Sequence, residues 1–340
     1  MKNTRCSARW STTHGPLQQG YSEGDQEFGS HPYSEGRGKV PERPPLPQGE
    51  YGHDALTEKA IEFLRARAKE GKPFFLHLGH YYVHTPIRTR AAWLVEKYRA
   101  RLPHDADAGR AVYAAMVETL DHLVGRVLTA LDELKLSENT LVVFTSDNGG
   151  HPEFSANGPL RGSKWNLYEG GIRIPWIVRW PGRVPAGKVS AATLIGTDLL
   201  PTFAAASGAT LPRGVALDGR NVLPVWLGEK RAEGVAERAF IWHFPYYHPE
   251  TEFADARRQI GVNDFAVSQT YPQSAIRLGD WKLVHFYEGD RDELYRLSTD
   301  PSEKSDLAAN EPARRRELRA RLDQELHAMG ARLPSAVGSN

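Results

Sequence analysis

Thr140-Leu141-Val142-Val143-Phe144-Thr145 runs straight into Ser146-Asp147-Asn148-Gly149-Gly150. A short run rich in β-branched and aromatic side chains, stopped by a Gly-rich polar turn, predicts a buried strand ending at Thr145. Upstream, Ala111 to Leu134 repeats apolar residues at helical spacing (Val112, Met116, Leu120, Leu123, Val127), the pattern of a long amphipathic helix. Farther back, Asp54 is placed to cap a helix reaching about Lys69, with Ala60, Ile61 and Leu64 on one face, and Phe74 to Leu78 predicts another buried strand. Downstream, Ile174 to Trp180 predicts a third strand closed by Pro181-Gly182, and Thr197 to Ser207 a helix with Pro201 in its first turn. Strands separated by helices argue for a mainly parallel sheet covered on both faces.

Past about residue 235 the pattern changes to short, aromatic-rich runs: Phe240 to Phe244, Ser274 to Arg277, Trp281 to Tyr287 and Glu293 to Arg296. These predict antiparallel strands, followed by a charged helix near Pro312 to Met329. The expected fold class is therefore α/β, with a mainly parallel sheet sandwiched by helices over residues 51–234. A smaller C-terminal α+β subdomain with an antiparallel sheet follows over residues 235–340. Residues 1–50 hold neither period, and their Pro41, Pro44, Pro45 and Pro47 cluster reads as an irregular segment.

The chain has 340 residues, with 43 Lys plus Arg against 42 Asp plus Glu, a net charge of +1. That balance excludes recruitment of nucleic acid or an anionic membrane by bulk charge. No apolar run approaches the roughly 18 residues of a membrane span. A single Cys excludes an internal disulfide framework and a cysteine-rich metal site. The first residues contain no apolar h-region, so no export signal is expected in this chain as it stands.

Ligands of open α/β sheets bind outside the carboxyl ends of strands, where Asp147-Asn148 is expected. A carboxylate and an amide carbonyl are hard oxygen donors suited to Ca²⁺ or Mg²⁺, and the same residues also make an ordinary polar turn. His84 reads either as a proton donor or as a turn residue before Pro86, and Lys164 as an anion ligand or a solvated charge. His77 is expected to pack inside its strand. His151 reads as a cleft residue or a loop residue. Trp242-His243-Phe244 with Tyr246, Tyr247 and His248 reads as a wall for a sugar ring or as an aromatic core.

Asn157-Gly158-Pro159-Leu160-Arg161-Gly162-Ser163-Lys164, followed by Leu167-Tyr168-Glu169-Gly170-Gly171-Ile172-Arg173-Ile174-Pro175, narrows these alternatives. With Ser146-Asp147-Asn148-Gly149-Gly150 upstream, the segment resembles the type I sulfatases, the arylsulfatase family of the alkaline-phosphatase-like superfamily. The resemblance continues in Phe74-Phe75-Leu76 leading to Val83-His84-Thr85-Pro86, and in Asp198-Leu199-Leu200-Pro201-Thr202. It extends through Ala275-Ile276-Arg277, Gly279-Asp280-Trp281-Lys282-Leu283, Asp292-Glu293-Leu294-Tyr295, Asp300-Pro301 and Asp306-Leu307. It covers about residues 50 to 335, in order.

The resemblance implies an alkaline-phosphatase-like fold and hydrolysis of sulfuric esters, on a sulfate-ester small molecule or a sulfated glycan. It implies one divalent cation, usually Ca²⁺, with Asp147 and Asn148 among its ligands. It gives His84 contact with the ester oxygen and the protonation of the leaving alcohol, and gives Lys164 a grip on the sulfate from the opposite side. His151, His243 and Arg277 are the candidate substrate-binding residues. Relatives of this kind are commonly periplasmic or secreted.

The sequence also departs from the family. Sulfatases carry a cysteine in Cys-x-Pro-x-Arg or Cys-x-Ala-x-Arg, which is converted to the nucleophile formylglycine. Cys6-Ser7-Ala8-Arg9 is one residue short of that spacing, and no Asp-Asp strand end precedes it. Cys6 is accordingly expected not to be the nucleophile, the N-terminal part of the sulfatase domain is expected to be absent, and the chain is expected to be inactive alone. Two alternatives remain: a non-catalytic binder of a sulfated ligand, and a phosphoester hydrolase of the same superfamily. Lys164 in its Arg-Gly-Ser-Lys setting favours sulfate over the latter. Asp147, Asn148, His84 and Lys164 are expected to converge on one cleft.

Overall fold

Asp54 does what its position predicts. Its Oδ2 accepts hydrogen bonds from the Thr57 backbone N–H at 2.9 Å and the Thr57 hydroxyl at 2.7 Å, opening helix α1 (Ala55–Glu70). In a computed structural model of the chain, residues 4–5, 16–24, 44–103, 108–155, 157–229, 238–246 and 271–334 are described. Cys6, Tyr247 and His248 lie outside them. Contacts divide the chain into two units, Met1–Thr140 and Leu141–Asn340.

In the first unit, α1 and α2 (Ala92–Arg99) both pack on the long helix α3 (Ala108–Glu133). Tyr82, Met116 and Leu123 form one buried cluster, and Ala91, Leu94 and Ala115 another. Glu118 on α3 accepts hydrogen bonds from Tyr51, Tyr98 and Lys97, and its carboxylate pushes the Tyr98 hydroxyl up to about 12. The buried Asp54 carboxylate also faces His80, with Nδ1 3.3 Å from Oδ2. Burial raises that carboxyl, but the bonds from His80 and Thr57 outweigh it and hold it below the usual range.

Two expectations about the beginning of the chain need correction. Residues 1–50 are not wholly irregular, because β1 (Thr4–Arg5) pairs in parallel with β2 (Phe75–Leu76). Two residues are too few to show a period. The Phe74–Leu78 run is not a buried strand: Phe75 is 42% exposed, and His77 follows the strand as an exposed residue with Nδ1 3.4 Å from the Tyr21 hydroxyl.

The second unit holds β3 (Val142–Thr145) and β4 (Trp176–Arg179), paired Val142 to Arg179 and Thr145 to Trp176 in antiparallel register. A parallel return would need a covering crossover helix. The connection instead carries only one helical turn, α4 (Glu169–Ile172), so the chain folds back beside the strand it left. One face of this pair, with Val143, Trp176 and Val178, packs against α5 (Leu199–Ser207) and α6 (Leu223–Trp226) through Phe203, Val222 and Trp226. Phe144 and Ile177 oppose each other on the other face, where Ile177 is 60% exposed.

Strands β5 (Ala239–Phe244), β6 (Gln273–Leu278), β7 (Trp281–Phe286) and β8 (Arg291–Arg296) form one antiparallel sheet in that order. Alternation gives the sheet two different faces. Ile276, Leu283 and Leu294 bury against Leu318, Leu322 and Leu326 of helix α7 (Pro312–Ala328), spaced four apart on one helical stripe. Ala275, Val284, Phe286 and Tyr295 face the other way, onto Leu167 and Tyr168.

Asp198 ties β5 to α5. It is fully buried, accepts from the backbone N–H groups of Ile195 at 3.0 Å and Arg220 at 2.9 Å, and is gripped by both Arg238 amino groups. Burial raises its carboxyl, but the Arg238 guanidinium and the two N–H groups outweigh it and hold it low. Breaking a buried pair from one side costs about 3–5 kcal/mol, so Asp198→Asn should lower the melting temperature clearly at neutral pH. A depressed carboxyl contributes stability above its unfolded value, near pH 4, and loses it as pH falls through the folded value. The gap between wild type and variant should therefore narrow below about pH 4. A gap that is absent at neutral pH would show that the pair does not hold this corner.

Candidate active site

The segment after β3 is held by its own backbone. Gly149 N–H donates to the Gly171 carbonyl at 2.8 Å, and Lys164 N–H donates to the Gly150 carbonyl at 3.0 Å. The Asn157 side chain closes the remaining gap, with Oδ1 accepting from Gly150 N–H at 2.9 Å and Nδ2 donating to the Gly162 carbonyl at 3.2 Å. Gly149 is required because the two strands of the turn nearly touch: a Cβ there would sit 1.8 Å from the Gly170 carbonyl oxygen. These contacts bring Asp147, Asn148, His151 and Lys164 into one folded turn at the carboxyl end of β3.

Asp147 is exposed, and its Oδ1 accepts the Asn148 N–H at 2.9 Å and the Ser146 hydroxyl at 3.4 Å. Lys164 is half-buried, its ammonium 5.4 Å from the centroid of the Trp165 ring. His151 stands against Trp165 edge-on at 5.4 Å and is stacked on Phe154 at 5.1 Å. Its Nδ1 accepts the Glu153 backbone N–H at 3.2 Å, so the neutral ring carries its hydrogen on Nε2.

His84 lies in the first unit and is exposed, with Nδ1 3.0 Å from the Thr85 carbonyl oxygen and its ring 5.0 Å from that of Tyr81. A carbonyl only accepts, so Nδ1 carries a hydrogen and Nε2 is the atom left for proton exchange.

Two sequence candidates are engaged elsewhere. His243 sits on the α7 side of the antiparallel sheet, its Nδ1 2.6 Å from the Ser274 hydroxyl and its Nε2 2.9 Å from the Arg332 carbonyl. The Lys164 segment packs on the opposite face, so strand alternation separates His243 from it. Trp242 and Phe244, on that opposite face, pack into the buried cluster with Leu167 and Tyr168. Arg277 does face the segment, but its guanidinium lies 3.8 Å from Glu169 and donates to the Gly279 carbonyl at 3.2 Å.

Sequence reasoning missed the groups that carry this segment. Lys282 is completely buried, 3.0 Å from Glu169 and 2.8 Å from Glu303, and Glu303 accepts the Glu169 backbone N–H at 2.6 Å. Burial pushes the Glu303 carboxyl up despite the neighbouring ammonium. Beside this trio, the Arg161 guanidinium lies 4.0 Å over the Tyr168 ring and donates to the Tyr295 hydroxyl at 2.7 Å. Both tyrosine hydroxyls donate to Glu293, and burial with that carboxylate raises both phenols. Register would have shown this: Arg277, Lys282 and Tyr295 are direct cross-strand partners and share one face.

The oxygen chemistry of Asp147 and Asn148 fits a hard divalent cation, though two donors make only part of a shell of about six to eight. Among the described residues no group of three or more His, Cys, Asp or Glu could hold a metal. No helix among them is long and apolar enough to cross a membrane.

An α/β layer whose strand end carries this Asp-Asn turn and lysine, backed by an antiparallel sheet and helix, is the architecture expected from the resemblance. The Sulfatase family profile matches residues 3–209, and that of the N-sulphoglucosamine sulphohydrolase C-terminal region matches residues 163–332. The chain belongs to the sulfatase family. It is 35% identical over 292 residues to a sulfatase of Formosa agariphila, covering 81% of this chain and 49% of that one. It is 31% identical over 299 residues to the steryl-sulfatase of Mus musculus, covering 83% of this chain and 45% of that one. The crystal structure of Ps i-CgsB with k-i-k-neocarrahexaose superposes with a TM-score of 0.72 at 26% identity, covering 95% of this chain and 70% of that one. The chain thus spans about half the length of these two sequence relatives. Its α/β fold with a C-terminal α+β subdomain is that of the sulfatases.

Proposed function

We propose that the chain carries the sulfate-binding part of a sulfuric ester hydrolase, with residues 51–234 bearing the site and residues 235–340 bracing it. The observation that supports this most is the backbone tie between Lys164 and Gly150, which ties a cationic side chain to the Asp147-Asn148 strand end. Cleaving a sulfate ester concentrates negative charge on the leaving oxygen and on the peripheral sulfate oxygens. Lys164 neutralises the peripheral charge. His84, by its Val83-His84-Thr85-Pro86 motif, donates the proton to the leaving alcohol. Asp147 and Asn148 would hold one divalent cation, Ca²⁺ by family, which when bound polarises sulfate oxygens. The family's formylglycine supplies the nucleophile where it is present. The substrate is a sulfated small molecule or glycan, and the neighbour solved with k-i-k-neocarrahexaose supports a saccharide.

A second reading is a binder of sulfated ligands, in which the same groups hold the anion without cleaving the ester. Calorimetric titration tests the shared site: Lys164→Ala should weaken inorganic sulfate and aryl sulfate binding about tenfold or more, and Asp147→Ala should remove any Ca²⁺ dependence. Unchanged affinities in both variants would sink the site. A paired assay with Ca²⁺ tests whether this chain turns over an aryl sulfate by itself. The expected rate for this chain is no higher than that of its His84→Ala variant, with no aldehyde on the Cys6 peptide by mass spectrometry. His84-dependent turnover would establish the hydrolase instead.

A further inference from the structure

Trp165 stands beside Lys164, His151 and Phe154 continue from it ring against ring, and the burial pattern does not explain the three as core. His151, Phe154 and Trp165 are only half-buried, whereas Tyr168, three residues on, is 1% exposed and belongs to the cluster under the sheet. Trp165 also adopts φ +80°, a left-handed conformation that bulky L-residues rarely take and that costs roughly 1–2 kcal/mol. Strain of this kind collects at ligand clamps, where surrounding structure enforces it. Here it is enforced by the turn itself: Asn166 N–H donates to the Ser163 carbonyl at 3.2 Å and Lys164 N–H to Gly150, so the backbone on both sides of Trp165 is pinned. The strained conformer sets the indole beside the ammonium and edge-on to His151, which is in turn stacked on Phe154.

We propose that Trp165, His151 and Phe154 form a ring-binding wall that selects sulfate esters whose leaving group presents a flat or apolar ring face next to the sulfate held by Lys164. This rests on the reading of Lys164 as the sulfate ligand. The carbon bearing a bound sulfate is one ester linkage from that anion, so its ring meets the indole while the anion stays on the ammonium. Aromatic faces bind aryl rings by stacking and pyranose rings through their apolar C–H face, and a compact ester gains nothing from them. The wall therefore discriminates by the leaving group and not by the sulfate.

The test is calorimetric titration of the intact chain with inorganic sulfate, phenyl sulfate and a pyranose 6-sulfate, in the presence of Ca²⁺. Trp165→Leu should weaken the two ring-bearing esters about tenfold and leave inorganic sulfate unchanged, and Trp165→Phe should restore most of the loss. Loss on the pyranose arm alone assigns the wall to saccharides, and loss on the phenyl arm alone assigns it to aryl esters; either supports the wall. Lys164→Ala should weaken all three. If Trp165→Leu binds both ring-bearing esters like wild type while Lys164→Ala weakens them, the wall is refuted and the sulfate site stands. If Lys164→Ala changes none of them, or wild type binds none, the underlying site reading fails and the wall falls with it. Circular dichroism of each variant separates lost binding from lost folding.

Discussion

In the Lys282→Met variant the melting temperature should fall by on the order of 10 °C at neutral pH. Methionine keeps the volume and removes the ammonium that bridges two carboxylates, Glu169 and Glu303, that are 2% and 0% exposed; Arg173 and Arg277 remain 3.9 and 3.8 Å from Glu169, so the loss falls chiefly on Glu303. Uncompensated buried charge costs about 3–5 kcal/mol, far more than a surface pair. The loss should depend on pH in a defined direction. Burial already raises the folded-state value for Glu303, and removing Lys282 raises it further. A raised carboxyl contributes its stability below the unfolded value, near pH 4, and loses it as pH climbs through the folded value. The deficit of the variant should therefore be smaller at about pH 5 than at about pH 8. A variant that melts within a degree or two of wild type at both would refute the structural role of the trio.

The second large effect is expected at Gly149. A methyl group there meets the Gly170 carbonyl oxygen at 1.8 Å and the Gly171 Cα at 3.0 Å, both main-chain atoms that no rotamer change can move aside. Gly149→Ala should open the turn, break the Gly149 to Gly171 hydrogen bond and release Lys164 from its place beside the Asp147-Asn148 pair. The predicted readouts are fast amide exchange over residues 149–171 and loss of sulfate affinity equal to that of Lys164→Ala. Gly125→Ala is the control. That glycine lies inside α3 with nothing within 4 Å of its absent Cβ, so alanine should stabilise the helix by roughly 0.5–1 kcal/mol. Slow exchange over 149–171 in Gly149→Ala would mean that the close approach is not needed.

Much of the local structure was readable from residues alone. Asp54 as the cap of α1, the amphipathic run of α3, the four C-terminal strands and the charged final helix all follow from short-range rules of capping and periodicity. The Asp-Asn turn and Lys164 were readable too, because their motif is contiguous and its glycines report the tight backbone approach. What could not be read was which face each strand residue takes. His243 and Arg277 both looked available for substrate. Register puts His243 on the α7 side against Ser274, and turns Arg277 toward Glu169.

The direction of β4 was likewise decided by tertiary structure. Alternating strands and helices argue for parallel pairing, but the β3–β4 connection spends its length on the site turn and leaves no helix to make a crossover. The sequence by itself determined α1, α3, α5, α7, the C-terminal strand positions and the family, since these depend on neighbours a few residues apart, but it did not mark β1, α2 or α6. Only the fold decided the buried trio of Glu169, Lys282 and Glu303, whose members are up to 134 residues apart. Burial charges for any unpaired ion, so these groups are tolerated only together, and no local pattern records that the three will meet.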